Sequence, residues 1–181
     1  SAQQAWMITS LGPHAVILSP DGKFLACGGG EVDFGNVGQI MVWEWATKKP
    51  LVTWTQKLGP VFKVAYSPDG TKLASVDKKG GIKIWNASTG LELGELKGTK
   101  KGSWVLDVQF SRDGKYLVTT PPTTIWDLES KHELKTFPDG VWSVVFSDDG
   151  ERLAVSGNRE IQIFDLAHDK GFKPLVASRG S

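Results

Sequence analysis

The chain of 181 residues has one cysteine, three histidines and a net charge of only +1. The single cysteine, Cys27, excludes an internal disulfide framework and any metal site built from thiolates alone. No apolar run approaches the roughly 18 residues of a membrane-spanning helix, and no signal-peptide pattern stands at the start. The near-neutral charge gives no electrostatic reason to expect nucleic acid or an anionic membrane as a partner. The compartment stays open, with a cytoplasmic location favoured.

Sequence motifs of catalysis and cofactor binding are also missing. The chain has no His/Glu pair for zinc, no Cys-x-x-Cys, no phosphate-binding loop before a helix and no Gly-x-Ser-x-Gly. Gly28–Gly30, followed by Glu31 and Asp33, offers fewer oxygens than the about six to eight that calcium takes, so we expect a flexible hairpin loop there. Asp107, inside an apolar strand, is predicted to be a partly buried structural carboxylate. We therefore predict no catalytic residues, no cofactor and no metal.

A turn that returns four times is what the sequence does contain. Each copy has a serine, one intervening residue and then Asp-Gly. The Asp side chain can form a hydrogen bond with its own backbone, and the Gly accepts a left-handed conformation. Runs of β-branched and aromatic residues flank every copy, as in a β-hairpin. The four turns are Ser19-Pro20-Asp21-Gly22, Ser67-Pro68-Asp69-Gly70, Ser111-Arg112-Asp113-Gly114 and Ser147-Asp148-Asp149-Gly150.

A large ring followed by a polar residue marks the end of a third strand in each unit. A fourth short strand follows the ring, so each unit of about forty residues contains four strands. Short connections between the strands favour an antiparallel sheet, which is one blade of a propeller. The rings belong to Trp43, Trp85, Trp126 and Phe164.

These units resemble WD40 repeats, most clearly at Ile125-Trp126-Asp127-Leu128. The resemblance implies an all-β propeller with four four-stranded antiparallel blades in this chain, approximately at 13–55, 60–96, 103–137 and 140–176. The Gly-His pair that many WD40 repeats carry before their first strand is missing from every unit. The hydrogen-bond tetrad that the family builds around that histidine cannot form in its usual way, so hydrophobic packing must hold the blades together.

Closure of the ring is a separate question, because the resemblance implies rings of about seven or eight blades. Residues 5–9, with Trp6, Met7 and Ile8, are predicted to form an outer strand that completes another blade. Two chains could form one eight-bladed ring about a two-fold axis. Alternatively, the chain is a piece of a longer propeller or an engineered fragment with no function of its own. We predict a homodimer that completes an eight-bladed ring.

A non-enzymatic protein-interaction scaffold is the function that the resemblance implies. His14, Phe62 and Trp142 each lie five residues before a turn serine, and Trp104 lies seven before one. In WD40-like propellers such positions lie where the innermost strands begin, on the face that meets partners. We predict that these four residues bind an unknown protein or peptide, as aromatic hot spots do. The alternatives are that the rings only cover the blade ends, or that a ligand-binding or hydrolase-type site lies in the central channel.

Overall fold

A computed structural model describes residues 12–31, 37–56, 59–97, 105–137, 141–157, 160–166 and 174–179, with only the backbone at 13, 31, 56, 142, 160 and 174–179. The described residues form four antiparallel four-stranded sheets, each ordered along the chain from its first strand to its fourth. We call these sheets blades 1 to 4. None of these residues belongs to a helix long and apolar enough to cross a membrane.

The strands follow one another without any other regular element between them in the described part of the chain. Blade 1 contains β1 Pro13–Leu18, β2 Phe24–Glu31, β3 Val37–Glu44 and β4 Lys49–Gln56, and blade 2 contains β5 Val61–Tyr66, β6 Lys72–Asp77, β7 Ile82–Asn86 and β8 Glu92–Leu96. Blade 3 contains β9 Asp107–Phe110, β10 Tyr116–Thr120, β11 Thr124–Asp127 and β12 Glu133–Thr136. Blade 4 contains β13 Val141–Phe146, β14 Arg152–Gly157, β15 Glu160–Asp165 and β16 Pro174–Arg179. The last strand runs beyond the predicted end at residue 176, and residues 5–9 with Trp6, Met7 and Ile8 lie outside the described residues.

The repeated Ser/Asp turn closes the first hairpin of every blade by the same set of hydrogen bonds. In blade 1 the Ser19 hydroxyl donates to the Asp21 carboxylate at 2.6 Å and accepts the Phe24 amide at 2.9 Å. The Gly22 amide donates to the Ser19 carbonyl at 2.9 Å, and the positive φ of 72° at this residue is one that glycine adopts without strain. The serine hydrogen bond, above all, lowers the pKa of Asp21. The repeated letters therefore specify a hairpin by local chemistry alone.

Apolar clusters hold successive blades together, as the absence of the usual histidine predicts. Between blades 1 and 2, Ile40 and Val42 pack against Val64, Tyr66 and Trp85. Equivalent clusters lie between blades 2 and 3 and between blades 3 and 4. Each internal blade therefore buries both faces, one against the blade before it and one against the blade after it.

The tryptophans near the ends of the third strands of blades 2 and 3 also form buried hydrogen bonds within their own sheets. The indole Nε1 of Trp85 donates to the Ser75 hydroxyl at 2.8 Å, and that of Trp126 donates to the Thr119 hydroxyl at 3.0 Å. Blade 4 has Phe164 and Val155 at the same two positions, so donor and acceptor are replaced together. The pair of positions behaves as a unit because an unpaired buried polar group is costly.

The glycine-rich stretch of blade 1 is not a loop, and that prediction was wrong for Gly28–Gly30. These residues are buried within β2 and pair with Ile40, Gln39 and Gly38 of β3. A Cβ atom on Gly28 would lie 2.6 Å from Cγ1 of Val61 in the next blade. Glycine is required here because two blades approach closely, a cause that sequence reasoning about loops did not consider.

Candidate interaction surface

One end of the blade stack carries the starts of all four inner strands, β1, β5, β9 and β13. The Ser/Asp turns lie at the opposite ends of these strands, because each turn joins an inner strand to the second strand of its blade. We call the surface at the strand starts the rim, defined by His14, Phe62, Leu106 and Trp142. The equal spacing of these residues from the turns brings them to the same end of the molecule.

Two of the predicted site residues meet at the rim. The rings of His14 and Phe62 lie 5.4 Å apart between centroids and perpendicular to each other, which is a favourable edge-to-face geometry. His14 is exposed and Phe62 is half-buried. Trp142 is described only by its backbone in β13, and Trp104 lies outside the described residues. The structure thus joins blades 1 and 2 through one aromatic pair at the rim.

An ion pair lies beside this aromatic pair and corrects the prediction for Asp107. Lys63 Nζ is 3.1 Å from Asp107 Oδ1, and 59% of the Asp107 side chain is exposed. Val108 and Phe110 of β9 pack inward, so the alternation of the strand turns Asp107 outward. Leu106 is also exposed. An ion pair at this exposure contributes little to stability, so we consider its two charges as groups available for binding at the surface.

A buried carboxylate, Asp77, pairs through its backbone with Val61 at the start of β5. Asp77 ends β6, and its Oδ1 accepts the backbone amides of Lys79 at 2.7 Å and Gly81 at 3.0 Å. Its Oδ2 is buried and has no hydrogen-bond partner among the described residues. Burial raises the pKa of Asp77 above the ordinary carboxyl value, although the two amides oppose this effect.

This raised pKa predicts a dependence of stability on pH. Because the folded-state pKa of Asp77 lies above the unfolded value, its protonated form stabilises the fold fully below the unfolded pKa of about 3.9. That contribution is lost as the pH rises through the folded-state pKa. Asp77→Asn keeps an oxygen for the two amides but cannot ionise. We expect urea unfolding between pH 4 and pH 8 to show the wild type losing stability relative to D77N as the pH rises, and parallel curves would contradict this.

A groove of about 470 Å³ runs along the inner strands of blades 1 to 3, toward the turn end of the stack. Its polar lining residues are Lys63, Tyr66, Gln109 and Arg112, and no carboxylate or histidine is among the described residues that line it. Across all the residues that the structure describes, no group of three or more His, Cys, Asp or Glu side chains is placed to hold a metal ion.

Comparison with known proteins gives a direct family match. The model of the family described as "WD domain, G-beta repeat" matches residues 48–86, 90–120 and 129–165, which is more than half of the chain. Each matched segment begins just before the outer strand of one blade and continues into the next blade. The sequence repeat is therefore offset by one strand from the structural blade.

Three named relatives match parts of the chain. The chain is 37% identical over 137 residues to WD repeat-containing protein SL1-17 of Schistosoma mansoni, covering 71% of this chain and 44% of that protein. It is 34% identical over 83 residues to a periodic tryptophan protein 2 homolog of Dictyostelium discoideum, covering 46% of this chain and 8% of that protein. It is 35% identical over 91 residues to apoptotic protease-activating factor 1 of Homo sapiens, covering 47% of this chain and 7% of that protein. The chain spans less than half the length of each of these relatives. With four antiparallel blades and this match, the chain belongs to the WD40-repeat family, whose domains typically bind other proteins.

Proposed function

We propose that this chain is a non-enzymatic protein-interaction scaffold that binds a protein or peptide at the rim. The observation that carries the proposal is the contact of the exposed His14 ring with the half-buried Phe62 ring near the starts of β1 and β5. Exposed aromatic rings supply contact area at a low cost in conformational entropy and are common anchors of protein interfaces. The family match supports the same conclusion.

The side chains at the rim indicate which chemical groups a bound partner segment would carry. His14, Phe62 and Leu106 offer apolar surface, and Lys63 and Asp107 offer one charge of each sign close beside it. We propose a partner that places an aromatic or branched apolar side chain on the aromatic pair. A neighbouring polar group of the partner then bonds to Lys63 or Asp107. Trp142 and Trp104 are proposed to extend the same surface.

A displayed library of random linear peptides tests this proposal, because it selects binders without the partner having to be identified first. We expect peptides to be enriched on the wild type and to bind Phe62→Ala or His14→Ala at least tenfold more weakly, which is about 1.4 kcal/mol. Leu134→Ala, an exposed apolar residue on the outer strand β12, is the matched control and should leave the dissociation constant unchanged. Failure to enrich any peptide, or equal loss in the control, would contradict the proposal.

We also propose that two copies close one eight-bladed ring. Blades 2 and 3 are covered on both faces, whereas blades 1 and 4 contribute to one apolar cluster each among the described residues. A sheet with an uncovered apolar face favours association. Light scattering at micromolar concentration should give twice the chain mass of 19.7 kDa. A stable folded monomer would contradict this second proposal.

A further inference from the structure

The front face of a blade, which packs on the blade before it, is exposed along the inner strand of blade 1. Two positions define this face, three residues and one residue before the turn serine. In blade 2 these are Val64 and Tyr66, with exposed fractions of 1% and 8%. In blade 1 the same positions are Val16 and Leu18, with exposed fractions of 64% and 48%. The residues have the same apolar character in both blades, but only blade 1 leaves them in water.

The back face, which packs on the following blade, is exposed in blade 4. One position in each blade lies three residues before the Trp or Phe near the end of the third strand. In blades 1 and 2 this position is Ile40 and Ile82, and both side chains are fully buried. In blade 4 the same position is Ile161, with an exposed fraction of 51%. Val145 on β13 is also exposed on this blade. An exposed isoleucine at a position that buries isoleucine elsewhere, with an exposed valine on the same blade, indicates a surface that is built to be covered.

The turns repeat the same pattern. A Cβ atom on Gly70 would meet Pro20 of the preceding turn at 3.6 Å, and one on Gly114 would meet Pro68 at 3.9 Å. Such an atom on Gly22 has nothing within 4 Å among the described residues. Blade 1 thus leaves open, in its turn as well as in its sheet, the space that a preceding blade fills elsewhere.

We propose that the front face of blade 1 docks on the back face of blade 4 of a second copy, in the register of the internal blade contacts. The inference rests on the proposed ring closure and specifies its surfaces. Internally, Gly28 of blade 1 lies against Val64 of blade 2, and the equivalent residues at the free ends are Ser156 and Val16. Both halves of the contact are therefore present on one chain. Two such contacts, related by a two-fold axis, complete eight blades.

The internal geometry also supplies a cross-link test. A Cβ atom on Gly28 would be 3.0 Å from Cγ1 of Val64, which brings two Cβ atoms at these positions into the range of about 3.5–4.5 Å that a disulfide spans. The variant Val16→Cys/Ser156→Cys should therefore form a covalent dimer on mild oxidation, seen on a non-reducing gel and reversed by thiol. Each single variant should stay monomeric on the gel, because the two-fold axis keeps identical positions apart. The native Cys27 is buried and common to all variants.

Each outcome separates the docking register from the proposed function. A covalent dimer supports the proposed contact. A series of larger covalent multimers also supports the contact but contradicts closure of the ring by two copies. A dimeric mass without cross-linking overturns the register but leaves the homodimer. A monomeric mass, or a disulfide within one chain, overturns both the docking register and the homodimer. The proposal of peptide binding at the rim is tested independently by the peptide library. If the double variant does not fold, Val16→Glu should raise the dimer dissociation constant at least tenfold, and an unchanged constant overturns the proposal.

Discussion

Replacing Trp126 by alanine is expected to lower the free energy of unfolding by about 3–5 kcal/mol, the cost of removing a large, fully buried aromatic side chain. Trp126 has no exposed surface and packs in the cluster between blades 2 and 3. Its loss would also leave the Thr119 hydroxyl without the indole donor. Urea unfolding at a fixed pH measures the effect. Leu134→Ala, on the exposed outer strand of the same blade, is the control and should change the free energy by less than about 0.5 kcal/mol.

A double-mutant cycle separates packing from the hydrogen bond. Trp126→Phe leaves a buried hydroxyl without its donor, and Thr119→Val leaves a buried indole N–H without its acceptor. The double variant recreates the Phe164 and Val155 pair that blade 4 already uses. We expect it to cost less than the sum of the two single changes by about 1 kcal/mol. Strict additivity would show that the hydrogen bond contributes nothing to stability.

Replacing Gly30 by alanine is expected to destabilise the fold by about 3 kcal/mol, the upper end of the strain range for such a backbone conformation. The added Cβ atom would lie 2.5 Å from the Val37 carbonyl oxygen and 2.7 Å from Cα of Pro60. Both are backbone atoms, so neither can move without shifting β3 or the start of blade 2. The φ of +153° at Gly30 lies in a region that other residues adopt only with strain of order 1–3 kcal/mol. Urea unfolding measures the loss.

Gly12→Ala is the matched control for this experiment. Gly12 is exposed, and a Cβ atom on it has nothing within 4 Å among the described residues. Its substitution should change the free energy of unfolding by less than about 0.5 kcal/mol. If Gly30→Ala were equally harmless, the close approach of blades 1 and 2 at Pro60 would be wrong.

Local patterns in the sequence account for the parts of the fold that depend on neighbours along the chain. The Ser/Asp turn needs only residues within about six positions of one another, and the hydroxyl, carboxylate and glycine of each copy are all visible in the letters. The alternation of apolar residues and the spacing of Trp43, Trp85, Trp126 and Phe164 likewise predict antiparallel sheets with four strands each. The family membership follows from the same letters.

Contacts between blades account for what the sequence did not predict. Glycine usually marks a loop, which is why the letters favour one at Gly28–Gly30, but the nearness of Val61 and Pro60 requires glycine inside a strand. The apolar neighbours of Asp107 predict partial burial, although its alternation on β9 turns it toward solvent and Lys63. His14 and Phe62 have the same spacing from their turns, but no pattern in the letters shows that their rings touch.

The turn chemistry, the four-stranded units, their number and their family can all be read from the letters, because each depends on interactions over a few residues. Which faces are covered, which glycines are obligatory, where Asp77 is buried and which rim side chains meet became visible only in three dimensions. Those properties depend on residues that are far apart in the chain. Ile40, Ile82 and Ile161 occupy the same position of their repeats, and the burial of each is set by whether another blade lies beside it. A repeat assigns the same residue type to each of these positions, and the neighbouring blade decides whether that residue is core or surface.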